Sequence, residues 1–122
     1  MSDEPGDVAA EPSIRDVPEA HRYEVSLHGE RCGLAAYLDT GRQRVFYHAE
    51  VGERFSGRGL AGALVTAALN DTRAGGKRIV AVCPYVAAYV RRHHEFDDIL
   101  DPVTPAVLTA VRSQTTSRPP KE

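Results

Sequence analysis

The sequence predicts an α+β fold with an α/β second half. An antiparallel meander of three strands leads into a helix, a strand parallel to the last of the meander, and a further helix, in the order β-β-β-α-β-α with a tail helix after it. Three observations predict it. Apolar residues alternate with polar ones through three stretches between Arg22 and Val51, the period of a half-buried strand. From Leu60 they recur at helical spacing instead, the pattern of an amphipathic helix laid on a sheet. Then Arg78-Ile79-Val80-Ala81-Val82-Cys83 runs without alternation, as a strand buried on both faces does.

The first strand, Arg22 to His28, puts Tyr23, Val25 and Leu27 on one side. His28-Gly29-Glu30 turns the chain into the second, Arg31 to Leu38, whose expected inner set is Cys32, Leu34, Ala36 and Leu38. After Asp39-Thr40-Gly41, the third strand sets Val45, Tyr47, Ala49 and Val51 on one face and Phe46, His48 and Glu50 on the other, and Gly52 closes it. In the helix that follows, Leu60, Ala61, Leu64, Val65, Ala68 and Leu69 form the packed stripe, and Gly75-Gly76 ends it. Pro84 stops the fourth strand and suits the first turn of a helix over Tyr85 to His94, with Val86, Ala87 and Val90 inward. A short helix from Pro105 to Arg112 presents Val107, Leu108 and Val111.

Composition sets the boundaries. Residues 1–20 carry Asp3, Glu4, Asp7, Glu11, Asp16 and Glu19 against Arg15 alone, interrupted by prolines, and read as a disordered acidic tail. Residues 21–112 form the expected domain, and residues 113–122 a flexible C-terminal tail. The chain has 122 residues, 42% of them hydrophobic, enough for one core without staples. Basic and acidic side chains nearly balance within the domain, so no clustered basic face for nucleic acid is expected. No apolar run has the length of a membrane span and no secretion signal opens the chain, so the cytoplasm is the expected location. Cys32 and Cys83 lack metal-ligand spacing, and neither a disulfide nor a metal is expected. The fourth strand leaves an edge that suits a monomer or a weak dimer.

Between the third strand and its helix lies Arg54-Phe55-Ser56-Gly57-Arg58-Gly59. Gly57 and Gly59 let the backbone turn tightly and approach a ligand, while the helix's first N–H groups stay unpaired at its positive dipole end. A phosphate satisfies such donors. Gly57, Gly59 and Gly62 spell G-x-G-x-x-G, but the next strand ends at Val82-Cys83-Pro84 without the carboxylate that a dinucleotide's ribose needs. A P-loop needs Gly-Lys-Ser/Thr, and Leu60 follows Gly59.

Arg54-x-x-Gly57-x-Gly59, after a strand and opening a helix, resembles the Q/R-x-x-G-x-G/A signature of the GCN5-related N-acetyltransferases (GNATs). His48-Ala49-Glu50-Val51, Gly57-Arg58-Gly59-Leu60-Ala61, Cys83-Pro84-Tyr85-Val86 and His93-His94-Glu95-Phe96 resemble more narrowly the short YjdJ-like branch of that superfamily. The resemblance implies a compact GNAT-like fold and an N-acetyltransferase that uses acetyl-CoA, with an amine as acceptor. It implies that Val51, Arg54, Phe55, Ser56, Gly57, Arg58, Gly59, Leu60 and Ala61 hold the coenzyme, and that the pantetheine arm lies along Ala49 to Gly52 like an added strand. A backbone N–H near Val51 or Gly52 would then polarise the thioester. Wider-superfamily members place one or two helices between their first two strands. Here only His28-Gly29-Glu30 stands there, so the acceptor side is expected to be open and to suit a protein amine, another large acceptor, or loose selection.

Acetyl transfer further needs a base for the amine and an acid for the leaving thiolate. His48 and Glu50 project the same way and are the candidate bases, the other reading being a polar strand face held by cross-strand bonds. Cys83, ahead of a helix N-terminus, is a candidate to carry the acetyl group covalently, or a small apolar filler. The resemblance makes Tyr89 the candidate acid and Tyr85 the reserve, with both tyrosines, Arg92 and His93 along the coenzyme. Ala49, His94 and Phe96 stand where the branch usually has threonine, proline and tyrosine. A rival class is a non-catalytic module that senses or carries the acyl-CoA.

Overall fold

A computed structural model describes residues 12–55, 57 and 59–116. Its strands are β1 (Ser13–Val17), β2 (Arg22–Leu27), β3 (Glu30–Thr40), β4 (Gln43–Val51), β5 (Arg78–Ala81) and β6 (Leu100–Asp101). Its helices are α1 (Leu60–Ala74), α2 (Pro84–Arg92) and α3 (Pro105–Thr116). The strands form one sheet in sequential order, antiparallel from β1 to β4 and parallel from β4 to β6. The expected α+β class and the parallel pair are both present.

Helices α1 and α2 cover one face, where Leu64, Val65 and Leu69 of α1 and Val86 and Val90 of α2 meet Tyr23, Val25, Tyr37 and Phe46. Phe46 is 1% exposed, and such a ring contributes about 1.5–3 kcal/mol of burial. On the opposite face α3 lays Val107 and Val111 over Val45 and Val80. Strand β5 is therefore buried on both sides, as its unbroken apolar run predicts.

Four expectations are corrected. Residues 13–17, expected in a disordered tail, form β1 along β2, with Ile14 on the core, Val17 buried, and Asp16 accepting a 2.6 Å bond from the Tyr37 hydroxyl. Local charge dominated that reading, whereas the stabilising partners lie far along the chain. The connection between the first two strands is thus the single 3-10 turn Pro18–Ala20, and His28-Gly29 is a two-residue hairpin turn with both φ angles positive. Both connections are short, and neither holds an α-helix.

The second correction concerns faces. Registers slip between Val25 and Ser26 and between Ala36 and Tyr37, which leaves Cys32 of β3 and Tyr47 of β4 as extra, bulged residues. Cys32, Ala35 and Tyr37 therefore face the main core, while Leu34 and Ala36 face away; Phe46 shares the core side with Ala49 and Val51, and Val45 looks the other way. Third, α2 ends at Arg92 and a 3-10 stretch follows over His94–Ile99, while α3 continues to Thr116 into the expected tail. Fourth, the expected free edge of β5 is paired at Ile79 and Val80 by β6. The acidic stretch 1–11 and residues 117–122 lie outside the described residues.

A polar cluster ties the far end of the sheet to α1. Arg44, 8% exposed, binds both carboxylate oxygens of Asp39 at 2.7 and 2.8 Å and donates to the Tyr23 hydroxyl at 2.6 Å. Tyr23 in turn donates to Asp71 of α1 at 2.6 Å. Burial first, then the Asp71 bond, pushes the Tyr23 phenol well above its usual range, so it stays a donor. The Arg44 hydrogen bonds hold the Asp39 carboxyl below its ordinary range against the opposing effect of burial, and Gln43 and then Arg78 do the same for Asp101.

Because these folded carboxyls titrate below the unfolded value of about 3.9, their contribution is complete above that pH and is lost as pH falls through the folded values. The thermal midpoint is expected to stay level from neutral pH to about 5 and to drop below about 4. A midpoint that holds steady down to about pH 3 contradicts this linkage.

Candidate active site

Strands β4 and β5 pair from Gln43–Arg78 to Phe46–Ala81 and then part. The carbonyl of Phe46 accepts from both Val82 and Cys83 N–H, at 2.9 and 2.8 Å, and closes the ladder. Strand β4 continues to Val51 with β3 alone. Gly52 N–H donates to the Cys32 carbonyl at 2.7 Å, and bonding alternates along an antiparallel ladder. The N–H and C=O of Val51 and Ala49 therefore point off the opposite edge, into the gap. Of the two candidate thioester donors, Gly52 is spent on β3 and Val51 faces the gap.

The gap opens on a cleft of about 270 Å³ bordered by Val51 and Phe55, by Gly57 and Gly59, by Leu60, Ala61 and Gly62 of the first turn of α1, and by Tyr85 of α2. Gly57 and Gly59 have φ of 82° and 75°, left-handed values that a side chain adopts only with strain. Gly59 is also the N-cap of α1, without a side-chain cap, and no acidic residue stands in the first turn. The end of α1 accordingly keeps backbone donors and positive potential toward the cleft. Gly62 keeps it wide: a Cβ there would sit 3.8 Å from the Tyr85 hydroxyl.

Other predicted residues fall elsewhere. Arg54 is ion-paired with Glu30 at the β2–β3 turn, its guanidinium 4.7 Å from the Phe55 ring centre. Ser56 and the Arg58 side chain lie outside the described residues. The strand expected to run to Cys83 ends at Ala81, and Cys83 stands two residues further on at the N-cap position of α2, 3% exposed and packed in the core. Tyr89 is buried, shares a hydrogen bond with Thr66 Oγ1, and stacks on His93 at 4.0 Å, whereas Tyr85 is 39% exposed at the cleft. The reserve tyrosine borders the gap and the first choice is tied to α1. Arg92 is exposed at the far end of α2. His48 and Glu50 contact each other at 3.1 Å on the open face of β4.

Sequence reasoning missed Gly62 and Gly33 as shaping residues. The third glycine of G-x-G-x-x-G pointed to Gly62, and a glycine inside a strand marks a bulge or a close approach. At Gly33 a Cβ would lie 2.5 Å from the Glu50 carbonyl oxygen and 2.9 Å from Val51 Cγ2. Among the described residues no group of His, Cys, Asp and Glu is placed to hold a metal, and no helix is long and apolar enough to cross a membrane.

Strands β4 and β5 thus part over the glycine-rich start of α1. The chain belongs to the GCN5-related N-acetyl-transferase family, whose model matches residues 22–99, more than half of the chain. A GCN5-like candidate N-acetyltransferase from Staphylococcus aureus has the same fold, with a TM-score of 0.58 and 14% identity over 76% of this chain and 91% of that one. Ard1 from Thermoplasma volcanium aligns with a TM-score of 0.48 and 22% identity over 64% of this chain and 55% of that one. No curated protein matches the sequence.

Proposed function

We propose that the protein transfers an acetyl group from acetyl-CoA to an amine. The observation that carries this reading is the early parting of β4 from β5 over the Gly57–Gly59 loop. The coenzyme's pyrophosphate suits the backbone donors of that loop and of the first turn of α1. Its pantetheine amides suit the edge groups of Ala49 and Val51, as an added strand would. The Val51 N–H then lies at the thioester carbonyl and stabilises the oxyanion. The four sequence runs support the YjdJ-like branch.

The ammonium of the acceptor first gives a proton to a base, for which Glu50 with His48 beside it is the candidate. The free nitrogen attacks the thioester carbon, forming the N–C bond. As the intermediate collapses the C–S bond breaks, nitrogen loses a second proton, and the leaving thiolate takes one. The products are an amide, free coenzyme A and one released proton. Tyr85, exposed at the cleft, is the better-placed donor to the thiolate. Tyr85→Phe is expected to lower kcat by about 10²-fold while leaving acetyl-CoA affinity intact. Tyr89→Phe should keep kcat and lose about 1 kcal/mol of stability with its Thr66 bond. The reverse pattern assigns the proton to Tyr89.

Two observations favour a second reading, a non-catalytic acyl-CoA sensor or carrier: Cys83 is buried and the Tyr89 hydroxyl is already bonded. Thiol release from acetyl-CoA with a panel of amines and peptides decides. Turnover above hydrolysis supports the transferase; binding without turnover supports the carrier.

A further inference from the structure

The end of β4 has a hollow on each side, and Val51 borders both. The donor cleft lies toward α1 and α2. The second hollow, open and about 350 Å³, is bordered by Arg31, Cys32, Gly33 and Leu34 of β3, by Glu50 of β4 and by Gly52 just beyond it. Leu34 and Glu50 are cross-strand partners, so their side chains share a face, and the core packs on the other one through Ala35 and Ala49. The two hollows thus meet at one residue, Val51, with Leu34 and Glu50 of the second on the face away from the core, so that a donor and an acceptor seated in them come together for direct transfer.

The second hollow carries both charges beside the apolar side chains of Leu34 and Val51. Glu50 is 59% exposed with His48 at 3.1 Å. Arg31 is 50% exposed, with one guanidinium nitrogen 3.5 Å from Glu24, and a guanidinium carries five N–H donors in all. Half-buried Leu34 stands opposite Glu50 on β4 and opposite Glu24, the carboxylate nearest Arg31, on β2. A volume near the lower end of the range of about 300–1,000 Å³ for ligand sites suits a small molecule.

Resting on the acetyl-transfer reading, we propose that this hollow takes the acceptor and that the acceptor is an amine of amino-acid type, its ammonium against Glu50 and its carboxylate against Arg31. A diamine or polyamine sets a second cation against Arg31 and is selected against. The acceptor nitrogen then stands beside Val51, on the side away from the coenzyme, with Glu50 as the base in contact with it.

The test compares matched acceptors with the full-length protein and acetyl-CoA: alanine against ethylamine, lysine against cadaverine, and a peptide with an internal lysine. The amino acid of each pair is expected to show at least about tenfold higher kcat/KM. Arg31→Gln erases that preference, and Glu50→Gln impairs both members while the Kd of acetyl-CoA stays unchanged. Independently of turnover, alanine added to the coenzyme-bound protein should shift the amides of Arg31, Gly33, Leu34 and Glu50. Equal or better use of the amines or the peptide, or shifts that avoid these amides, overturns the proposal and leaves acetyl transfer standing. Failure of acetyl-CoA itself to bind removes both.

Discussion

Arg44→Met is expected to destabilise the fold by about 3–5 kcal/mol, the cost of breaking a buried ion pair by removing one partner. Arg44 is ion-paired with Asp39 at 2.7 Å, Asp71 at 3.8 Å and Asp16 at 3.9 Å, and its guanidinium lies 4.0 Å over the Tyr37 ring. Methionine fills the volume but leaves these carboxylates facing one another. Against a total of about 5–15 kcal/mol for a typical domain, the loss is a large share. Urea unfolding should show a lower midpoint at an unchanged slope, and Asp39→Asn added to Arg44→Met should recover part of it. A loss below about 1 kcal/mol means that the cluster behaves as a solvated surface pair. Asp71 is on the order of 16 Å along α1 from Leu60 at 1.5 Å per residue, so the folded variant should keep its acetyl-CoA affinity.

Gly59→Glu is expected to weaken acetyl-CoA binding by about two orders of magnitude, the equivalent of roughly 2.7 kcal/mol. Two effects combine. The residue occupies φ of 75°, where a side chain is strained, so the loop shifts to relieve it. The new carboxylate also lies at the N-terminus of α1, where it takes the backbone donors that the pyrophosphate needs. Fold stability should fall by about 1–2 kcal/mol, the cost of the left-handed backbone alone, because nothing lies within 4 Å of a Cβ built at Gly59. Isothermal titration on the wild type and the variant checks both statements. Equal affinity in the two proteins contradicts the loop's role, and Gly59→Ala, which adds no charge, separates strain from charge.

The sequence made the meander, α1, the parallel strand and the glycine loop legible because each rests on local chemistry. Alternation, helical spacing and paired glycines need no distant partner. What stayed hidden depends on one. Strand β1 is held by the bond from Tyr37 to Asp16 and by burial of Val17, which residues 13–17 alone do not announce. The bulges at Cys32 and Tyr47 shift the faces of β3 and β4, and a strict period of two carries the wrong side chains inward past such a slip. In the site, Val51, Phe55, Gly57, Gly59, Leu60, Ala61 and Tyr85 border one cleft, because strand end, loop and helix start follow one another along the chain. The order of the two tyrosines was not legible, since i and i+4 share a helix face and only the packing of α2 on Thr66 tells them apart.

The central claim is that acetyl-CoA lies between the parted ends of β4 and β5 with its phosphates on the loop before α1. Titration of acetyl-CoA into the isotope-labelled protein, followed amide by amide, tests it most directly. The account predicts the largest shifts at Ala49, Val51, Gly57 and Gly59 to Gly62, with Tyr85 following and the Arg44 cluster unmoved. Shifts confined to other surfaces, or none at millimolar ligand, would mean that the loop is a structural turn and that the parted strands do not hold the coenzyme.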